Sequence, residues 1–172
     1  MIELVSASLD QTVDLGRRLG QLAEPGDVFA LDGELGAGKT QLVRGLALGM
    51  NLDPTHVSSP TFVIMHEYQS VPDSAAEDTG RVLVHIDAYR LTGPDDLASV
   101  GFDDELRAGA VVAVEWSERI ESFPGGAAQL GENRLHILIQ HHGGGSRRLT
   151  LTPHGRWAER LSALSSTMNP QP

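Results

Sequence analysis

The chain contains no cysteine and a single lysine, Lys39, among 13 basic side chains. Without cysteine there is no disulfide framework and no thiolate metal site, so the cytosol is the simplest expected compartment. No apolar stretch approaches the roughly 20 residues a membrane-spanning helix needs, and no membrane association is expected. Met1-Ile2-Glu3-Leu4 lacks both a basic segment and a long apolar one, so no secretory signal is expected. A net charge of −10 weighs against unaided binding to a nucleic-acid backbone, because such binding is driven by Lys and Arg neutralising phosphates. Direct nucleic-acid contact from this chain alone is therefore not expected. Arg147-Arg148 with Arg156 and Arg160 is the one candidate basic cluster, and it reads as solvated surface. With 172 residues, no internal repeat and no linker, one domain over 1–164 is expected, followed by a frayed tail over 165–172.

The lone lysine falls inside Gly33-Glu34-Leu35-Gly36-Ala37-Gly38-Lys39-Thr40, which reads G-x-x-x-x-G-K-T, the phosphate-binding P-loop. In a chain that otherwise uses arginine, a lysine kept here points to a geometric need. A compact ammonium bridges phosphate oxygens in a tight loop that a broad guanidinium fits less well. The motif needs a strand before it and a helix after it. Val28-Phe29-Ala30-Leu31 is a short apolar run read as a buried strand, and a helix is predicted over 39–49. Glycines let backbone N–H groups turn inward as an anion nest, and the helix N-terminus adds its positive end. Lys39 is expected to reach the β- and γ-phosphates of ATP, or the β-phosphate of ADP, and Thr40 to place its hydroxyl on Mg²⁺. Gly33, Leu35, Gly36, Ala37, Gly38 and Gln41 complete the candidate nucleotide contacts.

Around this motif the pattern alternates. Ser8-Leu9-Asp10-Gln11 has capping-box spacing, and Thr12, Leu15, Leu19 and Leu22 recur at helical intervals, predicting a helix over 9–23. Glu24-Pro25-Gly26-Asp27 ends it. Strands are expected at 61–65, 81–86 and 111–115, with a polar loop over 69–80. Short helices are expected from Gly93-Pro94-Asp95-Asp96 and around 103–107. Residues 121–133 read as a Gly-rich loop. Residues 134–140 and 148–152 alternate and can pair across Gly143-Gly144-Gly145 as a hairpin, and a last helix is expected over 157–164. The fold class is α/β, a P-loop NTPase-type mostly parallel sheet flanked by helices, with antiparallel edge strands near the C-terminus.

A P-loop needs an acid at the end of a neighbouring strand to hold the metal and its water shell. Asp87 follows Val82-Leu83-Val84-His85-Ile86, and Glu115 follows Val111-Val112-Ala113-Val114. One acid can touch Mg²⁺ while the other orients the attacking water; position alone does not assign them. Ser58-Ser59-Pro60-Thr61 lies where a hydroxyl-bearing switch reports the γ-phosphate. His85 reads as a partly buried histidine with a satisfied hydrogen bond, and His141-His142 as a chance pair on a turn. Trp116 is open to a core or a site role. Two other nucleotide-using classes lack their marks. A guanine-reading N-K-x-D needs a second lysine, and residues 119–131 carry no arginine-rich lid of the kind small-molecule kinases use.

Four strings together, Gly33 to Thr40, Ser59-Pro60-Thr61-Phe62, His85-Ile86-Asp87-Ala88-Tyr89-Arg90-Leu91 and Val114-Glu115-Trp116-Ser117-Glu118-Arg119, resemble the TsaE (YjeE) family in the same order. The resemblance runs from about residue 30 to 120 and weakens afterwards. It implies a small P-loop ATPase that acts with TsaB and TsaD in making threonylcarbamoyladenosine at position 37 of tRNA. It also implies that Thr40 and Glu115 hold Mg²⁺ and that Asp87 serves near the γ-phosphate. Trp116 would sit beside the metal site, with Tyr89 and Arg90 facing the site or the partners. Thr12, in the N-terminal segment, is implied as an adenine contact. The longer polar loop at 70–80 and the Gly-rich 121–133 stretch depart from the common family form.

Overall fold

The computed structural model describes residues 1–60, 65–69 and 80–168. A seven-stranded sheet runs in the order β1-β7-β6-β2-β5-β4-β3, where β1 is Ile2–Ser6, β2 Val28–Asp32, β3 Met65–Gln69, β4 Val82–Asp87, β5 Val111–Glu115, β6 Arg134–His141 and β7 Arg147–Pro153. Strands β6, β2, β5 and β4 are parallel neighbours; β7, β1 and β3 add antiparallel edges. Every residue of β2 and of β5 is buried, as expected for central parallel strands covered on both faces.

The two faces separate by strand period. Phe29 and Leu31 point to one core with Leu19, Leu42, Leu46 and Trp157, while Val28 and Ala30 point to another with Val112, Phe102 and Leu130. The first core is covered by three helices, α1 (Leu9–Leu22), α2 (Lys39–Gly49) and α7 (Trp157–Met168). The second is covered by the short helices α3 (Pro94–Ser99), α4 (Phe102–Ala108), α5 (Ser117–Glu121) and α6 (Gly126–Gln129). Helices α1 and α2 meet through glycines. A Cβ on Gly16 would lie 2.3 Å from the Leu42 carbonyl oxygen, and one on Gly45 would lie 2.2 Å from that of Val13. This close backbone contact seats α2, and with it the loop at its N-terminus.

Several expectations change. Residues 2–6 form an edge strand that the sequence reading left unassigned; Ile2 and Leu4 turn toward the first core and pair with Leu151 and Leu149. The strand expected at 61–65 is described only from Met65, and it continues to Gln69; residues 61–64 and 70–79 lie outside the described residues. The supposed loop at 121–133 holds the end of α5 and all of α6, because Ile120 and Leu130 are buried and a left-handed Gly125 starts the second helix. Helix α7 extends to Met168, beyond the predicted end at 164.

The arginines read as one basic cluster do separate jobs. Arg160 is mostly buried, donates to both Asp27 oxygens at 2.6 and 2.8 Å, and lies 4.2 Å from the Trp157 ring centroid. Arg156 pairs with Glu24 at 3.2 Å. Arg147 reaches toward the loop before α2, donating from Nε to the Ala37 carbonyl at 3.3 Å.

Candidate functional site

The loop between β2 and α2 is shaped by glycines that no other residue replaces. Gly33 has φ +139°, and a Cβ there would lie 2.2 Å from the Ile139 carbonyl oxygen on β6. Gly38, the N-cap of α2, has φ +114°. The backbone thereby curls so that the amides opening α2 have no side-chain cap, which leaves the helix N-terminus as an anion-binding end. Leu35 stands at the exposed tip of the loop, while Ala37 is buried under it.

Lys39 is 95% buried and donates from Nζ to the carbonyls of Gly33 at 2.5 Å and Glu34 at 3.1 Å. Its ammonium also sits 3.6 Å from the Trp116 ring centroid, a cation–π contact. Burial holds its pKa below the usual lysine range, opposed by the carboxylates of Glu115, Glu118, Asp87 and Asp32. The one lysine of the chain therefore stands in a field of acids.

The parallel pairing of β4 and β5 places Asp87 directly opposite Glu115, so both strand-end acids stand at one level of the sheet. Glu115 accepts from the Thr40 hydroxyl at 2.8 Å and lies 2.9 Å from His85 Nε2, both on Oε1. Asp87 accepts from the Tyr89 amide at 2.9 Å. His85 is fully rather than partly buried, and its Nδ1 has no partner among the described residues. Its ring is committed to holding Glu115.

Lys39, Thr40, Asp87, Glu115 and Trp116 line a cleft of about 400 Å³ that also takes in Leu9, Gln41, Ser59 and Arg147. A larger hollow of about 660 Å³ lies between β3 and the turn at Pro54–His56, and no P-loop residue lines it; the chemistry assigns the smaller one. Trp116 is a non-glycine residue at φ +61°, and its ring lies 5.2 Å from that of Tyr89, which Arg119 covers from 5.3 Å. Arg90 is exposed beside Tyr89. Ser58 and Ser59 are exposed and Pro60 is buried; the Ser58 amide bonds the Tyr68 hydroxyl, and Thr61 lies outside the described residues. Thr12 is wholly buried behind Gly38, and its hydroxyl bonds Ser6 Oγ at 2.9 Å and the Ser8 carbonyl at 3.3 Å.

Hard oxygen donors from Thr40 and Glu115 suit Mg²⁺, which keeps several waters and takes few protein ligands. The described residues hold no cluster of three or more histidine or acidic side chains able to bind a metal by themselves. The donor set thus fits a cation shared with phosphates rather than one caged by protein.

Sequence reasoning missed a polar group just behind the loop. Asp32, the last residue of β2, accepts from Ser117 Oγ at 2.8 Å and the Glu118 amide at 3.0 Å on Oδ1, and meets His136 Nε2 at 2.6 Å on Oδ2. Burial works to raise the Asp32 carboxyl, but the hydrogen bonds from His136, Glu118 and Ser117 outweigh it and hold it well below the carboxylate range. The Asp32 partner raises His136. Burial and then Asp32 push Glu118 up to about 7. Both His136 and Glu118 have folded values above their unfolded ones, near 6.5 and 4.3. The Glu118 contribution is therefore complete only below about pH 4.3 and is lost by about pH 7, while that of His136 is complete below about pH 6.5 and is lost as pH rises through its raised folded value. Glu118 is surface-exposed, so water screens its share and His136 carries more of the effect. The thermal midpoint is expected to fall between pH 6 and pH 9, and His136→Gln to flatten that fall; circular dichroism melts across the range check it, and parallel curves for the two proteins would contradict it.

Residues 6–149 match the model of a family described as threonylcarbamoyl adenosine biosynthesis protein TsaE, a span that includes the P-loop, both strand-end acids, Trp116 and Arg147. The tRNA threonylcarbamoyladenosine biosynthesis protein TsaE of Streptomyces coelicolor is 42% identical over 151 residues, covering 84% of this chain and 93% of that protein. The protein of the same name in Bacillus subtilis is 35% identical over 152 residues, covering 88% and 85%. The crystal structure of Bacillus subtilis YdiB superposes with a TM-score of 0.71 at 30% identity, covering 98% of this chain and 96% of that one. On sequence and fold alike, the chain belongs to the TsaE family.

Proposed function

We propose that this chain is a cytoplasmic, Mg²⁺-dependent ATPase that works as a switch subunit in the threonylcarbamoyladenosine modification of tRNA, acting with TsaB and TsaD. The modification pathway is the one named for its relatives. The single observation that carries the ATPase reading is the convergence of Lys39, Thr40 and Glu115 at the mouth of a glycine-shaped loop. The amides opening α2 would receive phosphate oxygens, and Lys39 would exchange its carbonyl partners for them at little desolvation cost because it is already buried. Thr40 and Glu115 would hold Mg²⁺, which would supply positive charge against the phosphates. Asp87, level with Glu115 and beside the same cleft, would orient a water and take its proton. Arg147 adds a second cation at the cleft wall.

The net charge of −10 leaves tRNA recognition to the partners. The exposed Tyr89, with Arg90 and Arg119 around it, is the face we assign to them. Turnover by the isolated chain is slow in this reading, since a P-loop alone often lacks a group supplied in trans.

Thr40→Ala is expected to raise the Mg²⁺ concentration needed for half-maximal ATP binding, by about tenfold for one lost charge-assisted contact; an unchanged metal titration would remove Thr40 from the metal site. The decisive test is capture of TsaB and TsaD on the immobilised chain, with and without ATP or an uncleavable analogue. Nucleotide-dependent capture supports the switch. Phosphotransfer from ATP to a metabolite with no second protein would point instead to a small-molecule kinase.

A further inference from the structure

We infer that Asp32 is a positioning residue for the nucleotide site: from the end of β2 it braces the start of α5 and so keeps Glu115 and Trp116 in place beside Lys39. The inference rests on the ATPase reading above.

The segment from Glu115 to Glu118 turns sharply from strand β5 into helix α5. Trp116 makes that turn in the left-handed region, at φ +61°, where a side chain is disfavoured. Such a conformation persists only where surrounding contacts over-determine it. As the N-cap of α5, Trp116 offers no side-chain hydrogen bond to the helix amides. The missing cap comes from the neighbouring strand. Asp32 Oδ1 accepts from the Glu118 amide at 3.0 Å and from Ser117 Oγ at 2.8 Å, while the Leu31 carbonyl accepts from the Trp116 amide at 2.8 Å. Two consecutive residues of β2 thus stitch three consecutive residues of the turn.

The second Asp32 oxygen is held by His136 on β6, so the brace is anchored on both sides of β2. Two of the groups around Oδ1 are deep: Asp32 is 6% exposed and Ser117 fully buried. What the brace holds is functional. The Trp116 ring faces the Lys39 ammonium at 3.6 Å, and Glu115, one residue earlier, accepts from Thr40. Among the described residues Asp32 makes no side-chain hydrogen bond to Lys39, Thr40, Glu115 or the Trp116 ring. It acts through the backbone of the turn.

The test uses the full chain and two readouts. Trp116 emission is isolated by subtracting the signal of Trp116→Phe, which retains the buried Trp157, and its acrylamide quenching is measured without nucleotide. ATP turnover is measured with saturating Mg²⁺. Asp32→Ala is expected to lose the protection of Trp116 from acrylamide and to lower kcat about tenfold or more, as small misplacements of catalytic groups do. KM for ATP is expected to move less than about threefold, because the phosphate loop itself is untouched. Asp32→Asn keeps the acceptor toward Ser117 and Glu118 and is expected to restore both readouts. Ser117→Ala, which removes one bond of the three, is expected to move both in the direction of Asp32→Ala, and serves if that variant does not fold.

A folded Asp32→Ala or Ser117→Ala chain with wild-type quenching and wild-type kcat overturns the inference. If the wild-type chain hydrolyses no ATP, the ATPase reading fails; the quenching arm, taken on the free protein, still decides whether Asp32 holds Trp116.

Discussion

Glu115→Gln is expected to lower ATP turnover by about 10²-fold or more, the usual size of losing one preorganised electrostatic group. The substitution keeps shape and removes a single charge. In the wild-type chain both Thr40 and His85 are ordered by the same Glu115 oxygen, at 2.8 and 2.9 Å. A glutamine carbonyl can still accept from one or both, so the local structure survives while the anionic oxygen that suits Mg²⁺ is gone. The expected signature is a raised Mg²⁺ requirement together with a lower plateau rate, read as phosphate release across a metal titration. Turnover that recovers to the wild-type plateau at high Mg²⁺ would mean that Glu115 binds the ion and contributes nothing further. An unchanged titration would mean that it does not bind it at all. Glu115→Ala is the poorer experiment: it strands a fully buried histidine, and each buried donor left unpaired costs about 1–3 kcal/mol. Lost activity in that variant would be mixed with lost fold.

Lys39→Ala is expected to weaken ATP binding by about 1.5–3 kcal/mol, or roughly 10- to 150-fold, the range for a hydrogen bond to a charged group. The effect belongs to the distal phosphates, so it should shrink from ATP to ADP and vanish for AMP. Titration of the three nucleotides by calorimetry checks the order, and equal losses for all three would place Lys39 elsewhere than on the phosphate tail. Lys39→Arg is expected not to rescue. The ammonium lies within hydrogen-bond range of two carbonyls and under an indole ring, a space matched to a compact cation and not to a planar fork. Removing Lys39 also takes away the cation beneath Trp116, so Trp116 emission is expected to change in the free protein.

Much of the fold was legible because its signals are local. The apolar runs of β2 and β5 and the capping spacing before α1 all operate within a few residues, and each appears where it was expected. The hairpin of β6 and β7 is likewise there, seven register pairs long. The strand at residues 2–6 carried a readable signal, the alternation of Ile2 and Leu4 with Glu3, but its partner stands almost the whole chain away. The helices within 117–129 were hidden for a different reason. Their glycines and proline read as loop, and they are helical because Ile120 and Leu130 have a core to enter.

The candidate site divides in the same way. The P-loop is one continuous segment whose shape follows from its own glycines, so its residues were visible in the order of the letters. Asp87 and Glu115 were visible as acids ending apolar strands. That they stand level, that Thr40 reaches Glu115 across 75 positions, that Lys39 lies under Trp116 and that Arg147 turns into the cleft all depend on which strands pair and in what register. Asp32 shows the limit most clearly, since its partners lie 85 to 104 positions away on two other elements. The amino-acid order by itself determined the phosphate loop, most of the elements and the family, because short-range sterics and periodicity are written residue by residue. Only the tertiary structure decided which acids, cations and rings share the cleft, because burial of both faces of the sheet selects one strand order, and that order sets every long-range neighbour.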